Sequence, residues 1–314
     1  MYSGKFHLYF AGRGSKEGVE LKRKLGCDQL YSQLNERGHI KKDVEYLKEH
    51  PGAFCLFIDS GAYTAYTKGK EVDVDDYINF INEIGDYGTV FAQVDKIPQV
   101  IGRQPTEEEL AAAPGQSWDN YLYMISKVDK KYRDKIMPVF HFEEDTKWLH
   151  NMLNYTFEDT GEHIKYIGLA VSTVDTAAIR FAWLQMCFDI IKNSPNPDVM
   201  THVFGCTALD VLEKFPITSA DSTTWVQAAA YGNVLLDNKA YMLSNRRLNN
   251  NENILNQTEH IKEELNKKLM KFGSTLEKCV EDYNERQCVN IRSMQQWANN
   301  YKCKYANITR GELW

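Results

Sequence analysis

Residues 54–63 read Phe54-Cys55-Leu56-Phe57-Ile58-Asp59-Ser60-Gly61-Ala62-Tyr63, five apolar side chains followed by a carboxylate and small, turn-forming residues. A short apolar run bounded by turn signals reads as a strand buried on both faces. Beyond it, Tyr77, Ile78, Phe80, Ile81 and Ile84 are spaced by three and four, the period of a helix. The same alternation recurs along the chain. Further apolar runs lie at 6–11, 90–94, 137–142, 166–171, 200–204, 217–220 and 233–236, most of them separated by helical spacing such as Ile179, Trp183, Met186 and Ile190. Strand, helix, strand, repeated, means a parallel sheet with helical crossovers. About eight such units in roughly 240 residues is the arithmetic of an α/β fold closed as a (β/α)8 TIM barrel. The competing open, doubly wound sheet normally carries a glycine-rich phosphate turn after its first strand, and Gly12-Arg13-Gly14-Ser15 is only a fragment of one.

Composition sets the outer limits. The chain has 314 residues, 43% hydrophobic and 25% charged, which excludes a disordered, collagen-like or disulfide-scaffold protein. No apolar run approaches the roughly 18 residues that span a bilayer, and the first residues are polar, so no membrane partner and a cytoplasmic address are expected. Seven scattered cysteines predict free thiols in a reducing compartment. The net charge of −6 is unevenly distributed: residues 245–314 hold 12 Lys and Arg against 9 Asp and Glu, a net of +3, which leaves −9 for residues 1–244. The polar, asparagine-rich run at 244–253 marks the same boundary. The organisation expected is therefore a catalytic barrel over 1–244 and a helical extension over 245–314 packed on it. That extension reads as helices near 254–272, 274–283 and 291–301, with Gly273 stopping the first.

In a barrel the active site is built at the carboxyl ends of the strands, so the polar residue ending each apolar run carries the functional information. The second run ends in Asp59, the third in Asp95 and the seventh in Asp221; the fourth ends with His141, the fifth holds Gly168-Leu169-Ala170, and the sixth ends at Phe204-Gly205. Each has a plain structural reading as well. An Asp after a strand is commonly a helix cap or turn former, a His flanked by Phe140 and Phe142 can be a core residue, and Gly168 and Gly205 can mark close packing or a bend. Three carboxylates at one end favour chemistry, because an apolar strand has no structural need to end so often in Asp. A carboxylate pair in a cleft can displace a group at a sugar carbon, one attacking and the other shuttling the proton. Glycine lets a planar ligand approach the backbone, and Tyr63 offers an aromatic face.

These motifs, in this order, resemble the signature of the tRNA-guanine transglycosylase superfamily: Asp-Ser-Gly-Ala-Tyr at 59–63, Gly-Leu-Ala-Val at 168–171, Phe-Gly at 204–205 and Asp221, over roughly residues 50–235. The resemblance implies a (β/α)8 barrel that exchanges a guanine in nucleic acid for a free 7-deazaguanine, without a cofactor. It implies that Asp221 is the nucleophile at C1′ and Asp59 the acid/base, with Ser60 and Gly61 in the same motif. It further implies that Asp95 reads the base edge, Tyr63 stacks on the base, and Gly168, Leu169 and Ala170 contact it through the backbone, beside Phe204 and Gly205. An acceptor-only carboxylate suits the N–H edge of guanine, and any purine has a face to stack on.

The departures narrow the substrate. The family's fourth strand offers a Gln to the base, where this chain has His141. The tRNA-acting enzymes follow the nucleophile with a Pro-Thr-Arg-x-Ala-Arg run, and here Asp221 is followed by Ser-Thr-Thr-Trp-Val-Gln-Ala-Ala-Ala-Tyr-Gly232. Cys279, Cys288 and Cys303 lack the C-x-C-x2-C spacing of the family's zinc site, and His202 with Cys206 would straddle a strand end, so no metal is expected. What remains looks like the shorter branch found in phages and bacterial modification clusters, which inserts 7-deazaguanine derivatives such as preQ0 into DNA, in a cytoplasm that is the host's if the chain is phage-encoded. Arg246, Arg247, Lys267 and Lys268 are candidate contacts to the DNA backbone, with a solvated helix face as the plain alternative. A duplex guanine would have to be flipped out, at about a few kcal/mol. The same exchange on tRNA or a nucleoside, and a catalytically silent purine- or nucleic-acid-binding barrel, stand as rival readings; an accessory protein or a homodimer stays open.

Overall fold

The computed structural model describes residues 5–97, 103, 105–142, 144–171, 176–205, 212, 214–237, 239–245 and 251–301. The chain divides into two compact units, one built on Gln29–Asp221 and the other on Phe6–Asp28 with Ser222–Tyr301. The strands are β1 (His7–Ala11), β2 (Gln29–Ser32), β3 (Leu56–Asp59), β4 (Val90–Ala92), β5 (Ile136–Met137), β6 (Val139–His141), β7 (Tyr166–Ala170), β8 (Met200–Phe204), β9 (Ser219–Ser222), β10 (Asn233–Leu236) and β11 (Lys239–Met242). The helices are α1 (Lys16–Leu25), α2 (Gln33–Glu49), α3 (Ala62–Thr67), α4 (Val74–Ile84), α5 (Glu107–Lys127), α6 (Lys147–Asn154), α7 (Ala177–Lys192), α8 (Thr224–Ala230), α9 (Glu259–Lys271), α10 (Leu276–Glu281) and α11 (Tyr283–Asn300). Strands β1–β9 form one sheet in the order β5-β4-β3-β2-β1-β9-β8-β7-β6. The fold is thus the TIM-like α/β barrel that the sequence implies, nearly closed. Among the described residues no helix is long and apolar enough to cross a membrane.

The barrel count of eight is reached by a different route from the one the apolar runs suggest. The strands at the two ends of the sheet order, β5 and β6, are pieces of one chain run interrupted only by Pro138. Proline has no N–H for a ladder, although the Pro138 carbonyl still accepts the Gly168 N–H at 2.8 Å. The run expected at 137–142 is therefore two strands occupying one barrel position. Strand β2 was hidden because its four residues, Gln-Leu-Tyr-Ser, include an inward-facing polar one; Gln29 is fully buried and accepts the Tyr31 hydroxyl at 2.6 Å. The run at 233–236, in contrast, pairs antiparallel with β11 as a hairpin and is not a barrel strand. Every ordinal after the first shifts by one: Asp59 ends the third barrel strand, and Asp221 lies within the eighth.

In the unit built on Gln29–Asp221, α4 buries Tyr77, Ile78, Phe80, Ile81 and Ile84 as its spacing predicts, and the Asp73 carboxylate caps it by accepting the Asp76 N–H. Helix α7 buries Trp183, Leu184, Cys187, Phe188 and Ile191, leaving Ile179 exposed, so its buried face is rotated from the expected one. Parallel registers place Val139, Gly168, His202 and Ser219 abreast on β6, β7, β8 and β9, with His141, Ala170 and Phe204 one level nearer the carboxyl ends. Side chains two apart share a face, so Asp221 stands above Ser219. The Phe57 ring of β3 lies 4.7 Å from His202 and 5.9 Å from Phe204 of β8, although those strands are not neighbours in the sheet. These side chains therefore meet across the barrel interior.

In the other unit, the fragment Gly12-Arg13-Gly14-Ser15 is a helix entrance. Ser15 caps α1 by accepting the Gly18 N–H at 3.1 Å, the Ser15 N–H is donated to Gln287 Oε1 at 2.9 Å, and a Cβ on Gly14 would meet the Trp225 ring at 2.6 Å. Gly14 is thus small for close packing, and Gly12 takes a φ of +88° that favours glycine. The hairpin residues Val234 and Leu236 share a core with Leu243, Ile254, Leu265, Leu269, Cys279 and Val289. Helix α9 ends at Gly273, whose φ of +73° reverses the chain as a stop should; Ile261, placed on its buried face by spacing, is exposed.

Candidate functional site

Strand β3 delivers Asp59, and the turn behind it demands glycine. Gly61 has φ +82°, and a Cβ there would sit 2.6 Å from Leu34 Cβ and 2.7 Å from Ser32 Oγ. Its N–H donates to Asp59 Oδ2 at 2.9 Å, while buried Ser60 accepts Gln33 Nε2 on its carbonyl at 3.0 Å. Burial raises the Asp59 carboxyl, the Gly61 bond pulls it back, and the charges of Asp95, Asp221 and Glu36 raise it further, to about 7. A carboxyl there can both give and take a proton near neutrality. Tyr63, on α3, is 66% exposed, with its ring available to a ligand instead of packed in the core.

Asp95 and His141 form a partly buried charge cluster. Asp95 Oδ1 accepts Gln93 Nε2 at 2.8 Å, and its Oδ2 lies 3.3 Å from His141 Nε2. On the ring's other side, His141 Nδ1 is 3.1 Å from Glu144 Oε1, and the His141 N–H donates to Glu144 Oε2 at 3.0 Å. Desolvation is the largest influence on this imidazole and lowers its pKa, but Asp95 and Glu144 together outweigh it and hold it at about 10. Asp95 also lines a cleft of about 1090 Å³ bounded by α3, α5 and residues 69–72.

Strand β7 brings Gly168, Leu169 and Ala170. Leu169 points into the core, the Ala170 carbonyl accepts the Phe142 N–H at 3.0 Å, and a Cβ on Gly168 would meet Phe204 at 2.7 Å, Met137 at 3.0 Å and Val139 at 3.1 Å. The space beside Gly168 is thus filled by the Phe204 ring. Gly205, at φ +63°, turns its N–H onto Asp221 Oδ1 at 2.8 Å.

Asp221 is 8% exposed and caps no helix. Its Oδ1 also lies 3.3 Å from Nε2 of His202, a fully buried residue whose Nδ1 is 2.6 Å from Ser219 Oγ. Ser219 is hydrogen-bonded in turn to the Tyr166 hydroxyl. His202, Ser219 and Tyr166 were not singled out from the sequence as partners of Asp221. The signal available is strand parity, since 202 and 204, 219 and 221, and 166 and 168 are same-face pairs; Cys206, named with His202 as a metal pair, lies outside the described residues.

The structure brings Asp59, Asp95, His141, Phe204, Gly205 and Asp221 to the carboxyl ends of the barrel strands. Lys267 and Lys268 lie on α9, paired with Glu264 at 2.7 Å and Asp237 at 2.6 Å, so the cationic stripe there is neutralised pair by pair. Arg246 and Arg247 fall outside the described residues. Fold and site define a TIM-like barrel with a multi-carboxylate centre at its strand ends. No protein-family model matches this chain, and no curated protein matches it.

Proposed function

We propose that this chain is a base-exchange transglycosylase that replaces guanine in DNA by a free 7-deazaguanine through a covalent Asp221–glycosyl intermediate. The observation that carries the reading is the presence of two carboxyls at one barrel end: Asp221, held by the Gly205 N–H, and Asp59, raised to about 7. Such a division of labour, one carboxylate attacking while the other carries a proton, is what displacement at a sugar carbon requires. Asp221 attacks C1′ as the bond to guanine N9 breaks, and Asp59 protonates the departing base. The incoming base then attacks C1′ from N9, its N9 proton passes to Asp59, and Asp221 leaves as a carboxylate. The proton inventory closes over one cycle, so no cofactor is required. Asp95, with His141 beside it, faces the base edge, and Tyr63 supplies a stacking face.

The test is base exchange with single-stranded DNA, duplex DNA and tRNA, each with free preQ0 and with guanine. Exchange into DNA, with an adduct on denaturing gels that Asp221→Ala abolishes, is the expected result. Exchange confined to tRNA would transfer the same chemistry to RNA. Base binding measured by calorimetry, with no exchange on any polymer, would establish a silent binding barrel.

A further inference from the structure

The Asp221 carboxylate is gripped at one oxygen. Oδ1 accepts the Gly205 N–H at 2.8 Å and faces His202 Nε2 at 3.3 Å, whereas among the described residues Oδ2 accepts no hydrogen bond. His202 is in turn held from behind by Ser219 and packed against two rings that also touch each other. Ser219 Oγ lies 2.6 Å from its Nδ1, Tyr166 bonds to that same hydroxyl, and the Phe57 and Phe204 rings sit 4.7 and 4.5 Å from the imidazole. A carboxylate only accepts, so Nε2 carries the proton of the Asp221 contact; with the ring neutral, the Ser219 hydroxyl donates to Nδ1 and accepts from Tyr166. The whole chain of donors runs one way, toward Oδ1.

We infer that His202 is a positioning residue for Asp221: locked in its tautomer by Ser219 and Tyr166, it works with the Gly205 N–H to pin Oδ1 and present Oδ2 as the attacking oxygen. The inference rests on the base-exchange reading. In the first half-reaction the Oδ2–C1′ bond forms as C1′–N9 breaks, and the N9 electron pair leaves with a guanine protonated by Asp59. In the second, the bond from the incoming N9 to C1′ forms, C1′–Oδ2 breaks, and its electron pair returns to the carboxylate. While the ester exists, Oδ1 is its carbonyl oxygen, and negative charge reappears there as the ester breaks. Donors preorganised at that atom stabilise the departing carboxylate. In an oxocarbenium-like transition state the carboxylate is largely anionic, so the donors help ester breakdown more than ester formation.

The experiment compares the full chain with His202→Phe, His202→Gln and Ser219→Ala, using guanine-containing DNA and free preQ0. Exchange turnover and the fraction of protein trapped on DNA are measured together, and ¹⁵N NMR of the His202 imidazole is recorded without substrate. Turnover in His202→Phe is expected to fall roughly a hundredfold, the low end for loss of a donor of this kind, while the trapped fraction rises. His202→Gln, whose amide also reaches Oδ1, recovers part of the rate. In the parent chain Nε2 is protonated and Nδ1 is not, and Ser219→Ala weakens that preference without reversing it, because Asp221 still accepts from Nε2. A trapped fraction that falls in step with turnover, an unchanged rate, or an Nδ1-protonated ring overturns the inference. A parent chain that neither exchanges bases nor forms an adduct defeats the base-exchange reading instead, and the NMR tautomer then decides on its own whether His202 orients Asp221.

Discussion

His141 Nε2 lies 3.3 Å from Asp95 Oδ2 while its Nδ1 lies 3.1 Å from Glu144 Oε1, so one imidazole bridges two carboxylates at the carboxyl end of β6. The ring is held charged, at about 10 against an ordinary 6.5. A raised folded-state pKa contributes stability that is complete below the unfolded value and lost as pH rises through the folded one. His141→Gln, which keeps a donor but no charge, is therefore expected to be destabilised by about 1–3 kcal/mol at pH 6, less than a fully buried pair would lose because the ring is partly exposed. The gap to the parent chain should narrow as pH climbs from 6.5 toward 10. Urea midpoints at several pH values measure it, and a gap independent of pH would contradict the bridging role.

Asp59 follows the same sign in a lower pH window, with burial as the leading cause of the rise instead of neighbouring charge. Its carboxyl is raised to about 7 by burial first, with Asp95, Asp221 and Glu36 adding to the effect, so the folded chain binds a proton there that the unfolded chain has already lost between about pH 4 and 7. The parent chain loses stability over that window and Asp59→Asn does not, so the melting temperature of the variant relative to the parent should climb from pH 4 to 7 and then level off. Catalysis depends on the same proton. Asp59 must begin protonated to assist the leaving base, so kcat/KM for exchange is expected to fall as pH rises through about 7, and Asp59→Asn to lose about 10²–10⁴-fold. A pH-independent rate in the parent chain would remove Asp59 from the acid role.

How much of this was legible depended on whether a residue's function coincided with a break in hydrophobicity. Asp59 and Asp221 interrupt apolar runs, so they stood out. His202 and Ser219 lie inside strands, one level beneath the carboxyl ends, where an inward polar residue looks like any other half-buried strand position; only the register of β8 with β9 makes them partners. Strand β2 is invisible for the same reason, since its inward Gln29, whose Oε1 accepts the Tyr31 hydroxyl, breaks the apolar run. The hairpin strand β10 was misassigned because Val234 and Leu236 pack in a separate core that apolar content alone does not distinguish from a barrel wall. The division of one run into β5 and β6 at Pro138 likewise leaves no local mark beyond one proline.

Gly61 joins strand geometry to the site. An added Cβ would carry a positive φ of 82° and two contacts below 3 Å, with Leu34 Cβ and Ser32 Oγ. Both conformational strain and overpacking oppose Gly61→Ala, each of about 1–3 kcal/mol. The expected loss is about 2–4 kcal/mol in chemical denaturation, and displacement of the Gly61 N–H from Asp59 Oδ2 should raise the Asp59 pKa further. The alkaline limb of the exchange profile would then move upward, which a purely global destabilisation does not produce.

The last relationship separates packing from ligand access at Gly168. An added Cβ meets the Phe204 ring at 2.7 Å, and Phe204 precedes Gly205, whose N–H holds Asp221. Gly168→Ala is accordingly expected to cost about 1–3 kcal/mol through overpacking and to lower exchange by shifting the turn that pins Asp221 Oδ1. Phe204→Leu removes the colliding ring edge, so the two substitutions should couple by about 0.5–3 kcal/mol in a double-mutant cycle. If Gly168 is small to accommodate Phe204, the double variant recovers stability and exchange together, up to the loss caused by Phe204→Leu alone. Recovery of stability with exchange still lost would mean instead that the bare backbone at Gly168 is where the base itself approaches. Denaturation midpoints and exchange rates on the same four proteins distinguish the two outcomes.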